Sequence, residues 1–189
     1  MSALSVGLLP RDEQAVTPWR NGAGLTRELA TGVIDGELSW RVSIAHIDEP
    51  GAFSTWPGMH RSLTLLTGDQ VVLTVAGNEH AVLRGQTFEF SGDVDVGCAL
   101  PGGPVEALNL MTRRGQALLQ LHSHDLRDGA VELGPDDLAV LVEGEATVRL
   151  AAEPARAALS MRTLDALLPV AGPARVVEGV GELLVIQRV

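Results

Sequence analysis

The sequence predicts an all-β protein built from many short strands. Glycine-containing turn signals recur along the chain, as in GD at 68–69 and GN at 77–78. Residues 38–47 alternate in the period of two that is typical of a strand. No stretch sustains the 3.6-residue period of an amphipathic helix. Short strands joined by regularly spaced turns are typical of a β-sandwich or a β-barrel.

Thirteen strands are predicted along the 189 residues. In chain order they are 4–9, 25–30, 38–47, 62–66, 71–76, 80–83, 87–90, 105–112, 117–122, 138–142, 146–150, 175–178 and 183–187. Residues 163–168 are predicted to form a single helical turn. A chain of this length can bury one large core or two small ones.

The chain also matches itself, without a gap, at an offset of 76 residues. LLTGD at 65–69 falls on LVEGE at 141–145, and EAL at 106–108 falls on ELL at 182–184. The match predicts two similar β units, residues 1–114 and 115–189, packed as one compact domain.

The two copies differ in polarity along their last strand. Asn109 and Arg113 of the first copy correspond to Val185 and Val189 of the second. A buried polar group without a hydrogen bond costs about 1–3 kcal/mol, so polar side chains on such a face need a purpose. The first copy is therefore predicted to carry the function and the second to be its structural partner.

The composition excludes several classes of protein. The formal net charge is −10, which disfavours nucleic-acid binding, and every fixed side-chain cation is an arginine. No run reaches the ~18 apolar residues of a membrane span, and no basic residue precedes the short apolar run near the N-terminus. With a single cysteine, no internal disulfide can form. The expectation is a cytoplasmic protein without a nucleic-acid or membrane partner.

The segment WRNGAGLTRE at 19–28 contains the strongest turn signal. Its Asn-Gly pair and second glycine allow a tight bend, which can turn several backbone N–H groups toward an anion. Trp19, Arg20 and Asn21 precede the bend, and Thr26 and Arg27 follow it. A hairpin with solvated arginines is the alternative interpretation of this segment.

Four segments together resemble the signature of the HutD/Ves family. They are WRNGAGLTRE at 19–28, WRVSIA at 40–45, GAFS with PGMHR between 51 and 61, and NLMTRR at 109–114. The resemblance implies a cupin-like double β-barrel, or bicupin, in one chain. It also implies a link to histidine utilisation and a small carboxylate ligand such as urocanate or formylglutamate. It thins out after about residue 115.

Three positions depart from the family pattern. Ala23 replaces the middle glycine of the turn, so this position must tolerate a Cβ atom. His60 stands where an acidic residue is common, and Ala107 stands where an aspartate is frequent. The last two changes remove potential partners of a cation, so the ligand preference of this chain can differ from that of the family.

The matching positions predict a pocket that binds the carboxylate through polar side chains between apolar walls. The predicted ligand-binding residues are Asn21, Thr26, Arg27, Arg41, Arg61, Asn109 and Arg113, and the predicted walls are Trp19, Trp40, Trp56 and Met111. The alternative is a structural network of Arg41, Arg27 and Glu28, and both roles can hold together. The sequence does not tell which arginine faces the pocket.

Neither a metal centre nor a nucleophile is predicted. His122 and His124 have the spacing of two cupin metal ligands, but no histidine follows them and the next glutamate, Glu132, is too distant. Cys98 lies in an apolar segment that is expected to raise the pKa of its thiol and make it inert. No catalytic residue and no cofactor are therefore expected.

Three functions remain open at this point. The first is a regulatory protein of histidine utilisation, or of a related stress response, that binds a small carboxylate. The second is a metal-independent enzyme on the same scaffold, an isomerase or a hydrolase. The third is a partner-binding protein with a vestigial pocket. The sequence leaves the oligomeric state open, with a homodimer as one alternative.

Overall fold

A computed structural model describes residues 6–19, 22–116, 119–153 and 157–189. The fold is all-β, and its only helical elements in these ranges are short, among them the 3₁₀ turns Arg11–Glu13 and Leu126–Asp128. The strands are β1 (Leu8–Leu9), β2 (Ala15–Pro18), β3 (Gly24–Ile34), β4 (Glu37–Ile47), β5 (Gly51–Ala52), β6 (Met59–Thr67), β7 (Gln70–Val75), β8 (Asn78–Leu83), β9 (Thr87–Ser91), β10 (Val96–Ala99), β11 (Val105–Arg113), β12 (Leu119–Asp125), β13 (Val131–Leu133), β14 (Leu138–Leu150), β15 (Leu159–Arg162), β16 (Ala166–Leu167) and β17 (Arg175–Arg188).

The chain divides into two compact units. One, called here the central unit, is Ala15–Ala117, and the other, the terminal unit, combines Met1–Gln14 with Leu118–Val189. The predicted division after residue 114 lies close to the observed one. The predicted start of the first unit differs, because β1 pairs with β16 and thereby joins the N-terminal residues to the terminal unit.

The central unit contains two antiparallel sheets around one core. The six-stranded sheet has the order β2-β3-β4-β11-β6-β9, and the four-stranded sheet has the order β5-β10-β7-β8. Apolar side chains of both sheets form one cluster, with Leu63 and Ala107 from the first sheet and Leu73 and Val96 from the second. The alternation predicted for residues 38–47 is confirmed by β4, whose odd-numbered residues from Ala45 onward enter this cluster.

The terminal unit is one seven-stranded sheet. Its main path is β1-β16-β14-β17-β12, with β13 added on β17 and β15 added on β14. The long strands β14 and β17 each replace two shorter strands of the prediction. The helical turn predicted at 163–168 is wrong, because Leu164 has a positive φ and β16 pairs with both β1 and β14.

Strand pairing closes none of these three sheets, since each has two end strands within the ranges described above. The closed double barrel that the family resemblance implied is therefore not confirmed. None of the helices in these ranges is long and apolar enough to cross a membrane.

The internal repeat appears in the hydrogen-bonded registers. Ala107 faces Leu65 in the central unit, and Leu183 faces Leu141 in the terminal unit, each 76 residues further along. Directly after these pairs, both ladders shift by one residue at a bulge. A shared register with a shared bulge supports the repeat more strongly than the few sequence identities do.

The ungapped match does not extend through the whole repeat. Thr74 faces Gly97 in the central unit, whereas its counterpart Leu150 faces Arg175, which lies 78 residues after Gly97. The terminal unit therefore holds two additional residues between these strands. The identities proposed there from the ungapped match, such as Leu83 with Leu159, are shifted in the structure.

Glycines permit a close approach of β14 and β17 at the bulge. Gly144 faces Gly181, and Gly144 has a φ of +94°. A Cβ atom added to Gly144 would lie 1.9 Å from the carbonyl oxygen of Val180. Because both backbones are held by the ladder, only glycine fits at this position.

We expect Gly144→Ala to lower the free energy of unfolding by about 2–3 kcal/mol, as measured by urea denaturation. Gly103→Ala is the matched control, because Gly103 has a φ of +93° and a Cβ atom added to it would meet no other atom within 4 Å. This control loses only the backbone freedom of glycine, at a cost of about 1 kcal/mol. Equal losses in the two variants would contradict the close approach as the cause.

Candidate functional site

A cavity of about 490 Å³ lies in the central unit on the inner face of the six-stranded sheet. Seven of the predicted site residues line it: Trp19, Thr26, Arg41, Trp56, Arg61, Asn109 and Met111. Sequence reasoning missed Thr17, Pro18, Ser43, Ala45, Ala52, Phe53 and Ser54, which also line it. Most of the missed residues are small or apolar, and Ser43 shares the alternation of Arg41, a signal that could have revealed it.

The strand registers arrange the polar side chains in rows. Met111 on β11 faces Arg41 on β4 and Arg61 on β6, so the two arginines flank it on one row. The next row toward the core holds Asn109 opposite Ser43. Successive rows on one face are about 7 Å apart, because two residues of a strand separate them. The cavity therefore presents cations on one row and neutral polar groups on the next.

Arg61 is a buried cation. Its side chain is only 6% exposed, and its guanidinium donates from Nη1 to the carbonyl oxygen of Ser54 at 3.1 Å. The rings of Phe90 and Phe53 lie 4.7 Å and 5.7 Å from its Cζ. Among residues 22–116 and the other described ranges, no carboxylate pairs with it. Its Nε is buried and has no hydrogen-bond partner.

Burial, together with the nearby positive charge of Arg41, lowers the pKa of Arg61 to about 10. The guanidinium remains protonated at neutral pH, because a pKa of about 10 still lies well above 7. A buried cation without a carboxylate partner is costly to fold, so an anion that enters the cavity would relieve this cost.

Arg41 carries the second cation of the row and already has a partner. Its Nε donates to Oε2 of Glu28 at 2.8 Å, and its Cζ lies 5.5 Å from the ring of Trp56. The predicted network of Arg41 and Glu28 is therefore present, and Arg41 also lines the cavity. Structural and ligand-facing roles coexist in this residue, as the sequence allowed.

Neutral groups complete the site. Trp19 donates from Nε1 to Oγ1 of Thr26 at 2.8 Å and packs edge-on against Phe53 with 6.1 Å between ring centroids. Asn109 is 5% exposed and donates from Nδ2 to the carbonyl oxygen of Ala107, which orients its amide. The Oδ1 of Asn109 is buried without a hydrogen-bond partner.

Three predicted residues do not line this cavity. Trp40 follows the alternation of β4 to the opposite face from Arg41, and its indole covers Gly32 on β3. Arg27 likewise alternates with Thr26 along β3. Arg113 lies at the end of β11 and donates from Nε to the carbonyl oxygen of Leu38 at 2.9 Å. Asn21 and its neighbour Arg20 lie outside the described residues.

The three family departures have structural counterparts. Ala23 is buried, and its carbonyl oxygen accepts from the backbone N–H groups of Asp48 and Glu49. Ala107 is fully buried in the core of the central unit and offers no charge to the cavity. His60 lies outside the cavity lining, with its Nε2 3.5 Å from Oε2 of Glu89.

No group of three or more His, Cys, Asp or Glu side chains within the described ranges is arranged to hold a metal ion. His122 is exposed on β12. Cys98 is buried in the core of the central unit, and burial raises the pKa of its thiol to about 11, which confirms the expected direction.

One family model matches most of the chain. It is described as HutD and matches residues 11–185. The chain belongs to the HutD family. The match extends well beyond residue 115, where the resemblance of the motifs thins out, and it includes the whole cavity.

Curated relatives align over a shorter segment. An uncharacterized 21.2 kDa protein in the hutC 3′ region of Pseudomonas putida is 39% identical over 118 residues, which are 60% of this chain and 62% of that protein. Protein Ves of Citrobacter koseri is 41% identical over 113 residues, which are 58% of this chain and 59% of that protein. The matched segments thus span about three fifths of these relatives.

Solved structures match over nearly the full length. The conserved protein PA5104 of Pseudomonas aeruginosa PAO1 has a TM-score of 0.75 and 28% identity, covering 96% of this chain and 97% of that one. HutD from Pseudomonas fluorescens SBW25, in a formate condition, has a TM-score of 0.74 and 28% identity, covering 96% and 98%. A cupin 2 conserved barrel protein from Leptotrichia buccalis, with a TM-score of 0.56, 10% identity and coverage of 85% and 88%, shows the cupin-like fold alone.

Proposed function

We propose that this HutD-family protein binds a small carboxylate, such as urocanate or formylglutamate, in the cavity of its central unit. In this proposal it acts in the cytoplasm as a regulatory protein of histidine utilisation or of a related stress response. The observation that carries the proposal is the buried guanidinium of Arg61, which lines the cavity without a carboxylate partner among the described residues. A ligand carboxylate would supply the missing anion.

The contrast with the terminal unit supports this proposal. Arg175 is the buried arginine of that unit, but its guanidinium donates to four backbone carbonyl groups. At the position that matches Asn109, Val185 packs in the core. One unit therefore uses its buried arginine to bind its own backbone, whereas the other presents it to a cavity. We also propose that both units are cupin-like, as their shared ladder suggests.

The regulatory role rests on the relatives and not on the cavity. The Pseudomonas putida relative is named for its place in the hutC 3′ region, and the family model is HutD. A test of this role is deletion of the gene, followed by measurement of growth and of histidine-degrading activity on histidine. Unchanged growth and unchanged activity would contradict the regulatory role while leaving carboxylate binding intact.

Carboxylate binding is tested by a thermal-shift screen of the metal-free protein against urocanate, formylglutamate, formate, glutamate and histidine. A ligand at 100 times its dissociation constant stabilises the folded state by about 2.7 kcal/mol, which gives a clear shift in melting temperature. At least one carboxylate is expected to produce this shift. No shift with any of them would contradict the proposal and favour a partner-binding protein with a vestigial pocket.

The pH dependence of binding provides a second test. A carboxylate ligand binds the protonated form of Arg61, whose pKa is about 10 in the free protein. The affinity is therefore expected to stay constant from about pH 6 to pH 9 and to fall as the pH rises through about 10. Isothermal titration calorimetry across this range measures it. An affinity that already falls near pH 8 would assign binding to a different group.

A further inference from the structure

The charges around the cavity do not cancel. Arg41 and Arg61 line it, and none of its lining residues is an aspartate or a glutamate. Glu28 is the carboxylate that reaches this row, through its 2.8 Å contact with Nε of Arg41. Counting these three groups, the described part of the site carries one net positive charge. A single anionic group would neutralise it, and a doubly charged ligand would exceed it.

The open donors of the two arginines lie on one row. Glu28 occupies Nε of Arg41, and the carbonyl oxygen of Ser54 occupies Nη1 of Arg61. The two cations are close enough that Arg41 contributes to lowering the pKa of Arg61. One carboxylate between the guanidinium groups can accept from both and also screens their mutual repulsion.

The next row offers no cation for a second charge. It holds Ser43 opposite Asn109, both nine-tenths or more buried, and Ala45 follows toward the core. A carboxylate placed there would lose its water without gaining a positive partner, which is costly. A neutral amide, hydroxyl or imidazole about 7 Å from the first carboxylate would instead find hydrogen-bonding groups.

We infer that the cavity selects acids with one carboxylate and a neutral polar group at the far end over dicarboxylic acids of the same shape, and that Glu28 sets this preference. The inference rests on the proposed function, because it assigns a charge class to the ligand of the same site. Glu28 acts by neutralising one of the two arginines. Its removal would leave two unbalanced cations and admit a second negative charge.

The matched ligands for the test are N-formylglutamine and N-formylglutamate, which differ in an amide against a carboxylate at the side-chain end. At pH 8, isothermal titration calorimetry of the wild-type protein is expected to show at least about tenfold tighter binding of the amide, because the second carboxylate is desolvated without a partner. Urocanate, whose imidazole is neutral at this pH, is the third probe and is also expected to bind.

Glu28→Gln tests the role of the glutamate. This variant keeps a hydrogen-bond acceptor for Arg41 but removes the negative charge, so the preference for the amide over the dicarboxylate is expected to shrink by about threefold to fiftyfold. Glu37→Gln is the matched control, since Glu37 pairs with Arg113, which does not line the cavity. The control is expected to keep the wild-type preference.

The outcomes separate this inference from the proposed function. If none of the three probes binds the wild-type protein, carboxylate binding itself fails. If the dicarboxylate binds as tightly as the amide or more tightly, the charge selection is overturned while carboxylate binding stands. An unchanged preference in folded Glu28→Gln, with an unchanged melting temperature, would overturn the role of Glu28. The wild-type comparison decides the ligand class even if this variant fails to fold.

Discussion

Replacement of Arg175 by methionine is expected to lower the free energy of unfolding by about 4 kcal/mol. The guanidinium is fully buried at the start of β17 and donates to the carbonyl oxygens of Leu168 and Gly134 at 2.6 Å and of Asp137 at 2.7 Å. It thereby ties the loops before β14 and after β16 to the start of β17. Methionine fills a similar space but leaves these carbonyl groups buried without donors, at about 1–3 kcal/mol each before relaxation.

Urea denaturation followed by far-UV circular dichroism measures this loss. Arg149→Met is the control, because Arg149 lies in the same sheet and pairs with Glu178 in a partly exposed ion pair at 2.6 Å. Such a pair contributes at most about 1 kcal/mol, so the control is expected to remain close to wild type. Equal stability of the two variants would show that the buried guanidinium of Arg175 does not hold the terminal unit together.

Replacement of Arg61 by methionine is expected to have the opposite profile. Carboxylate affinity should fall between about 30-fold and several thousandfold, the range for loss of a buried partner of a charged group. The stability of the ligand-free protein should not fall by more than about 1 kcal/mol, because the change removes a buried charge that has no carboxylate partner among the described residues. Methionine also packs well against the neighbouring rings of Phe53 and Phe90.

Arg113→Met is the matched control for Arg61→Met. Arg113 ends the strand that carries Met111 and Asn109, yet its guanidinium contacts Leu38 and Glu37 and does not line the cavity. Ligand affinity in this variant is expected to match wild type in calorimetry. Loss of affinity in both variants would indicate a general effect of positive charge, and loss of stability in Arg61→Met alone would make Arg61 a structural arginine like Arg175.

Much of the fold follows from local patterns in the sequence. The alternation in 38–47 predicts β4, and the glycine turns at 68–69 and 77–78 predict the hairpins of β6, β7 and β8. The internal match relates the pairing of β14 with β17 to that of β6 with β11. The short strands β5 and β16 escape prediction, because two residues carry no period and their conformation is set by the strands on which they pair.

The chemistry of the site is predictable from the sequence, but the direction in which its side chains face is not. The motifs contain both arginines of the row, and the internal match marks Asn109 as a polar residue at a position that is apolar in the other copy. Alternation alone does not reveal which face of a strand is turned inward, so the prediction that Trp40 forms a wall is wrong. The burial of Arg61 and the partners of Arg175 depend on contacts between distant segments, which no local pattern contains.

A crystal structure of the protein grown with urocanate, at a concentration well above its measured dissociation constant, tests carboxylate binding in this cavity most directly. The predicted result is a carboxylate within hydrogen-bond distance of the guanidinium groups of both Arg41 and Arg61, with the imidazole toward Ser43 and Asn109. Urocanate bound elsewhere, with only solvent beside Arg61, would contradict the central claim.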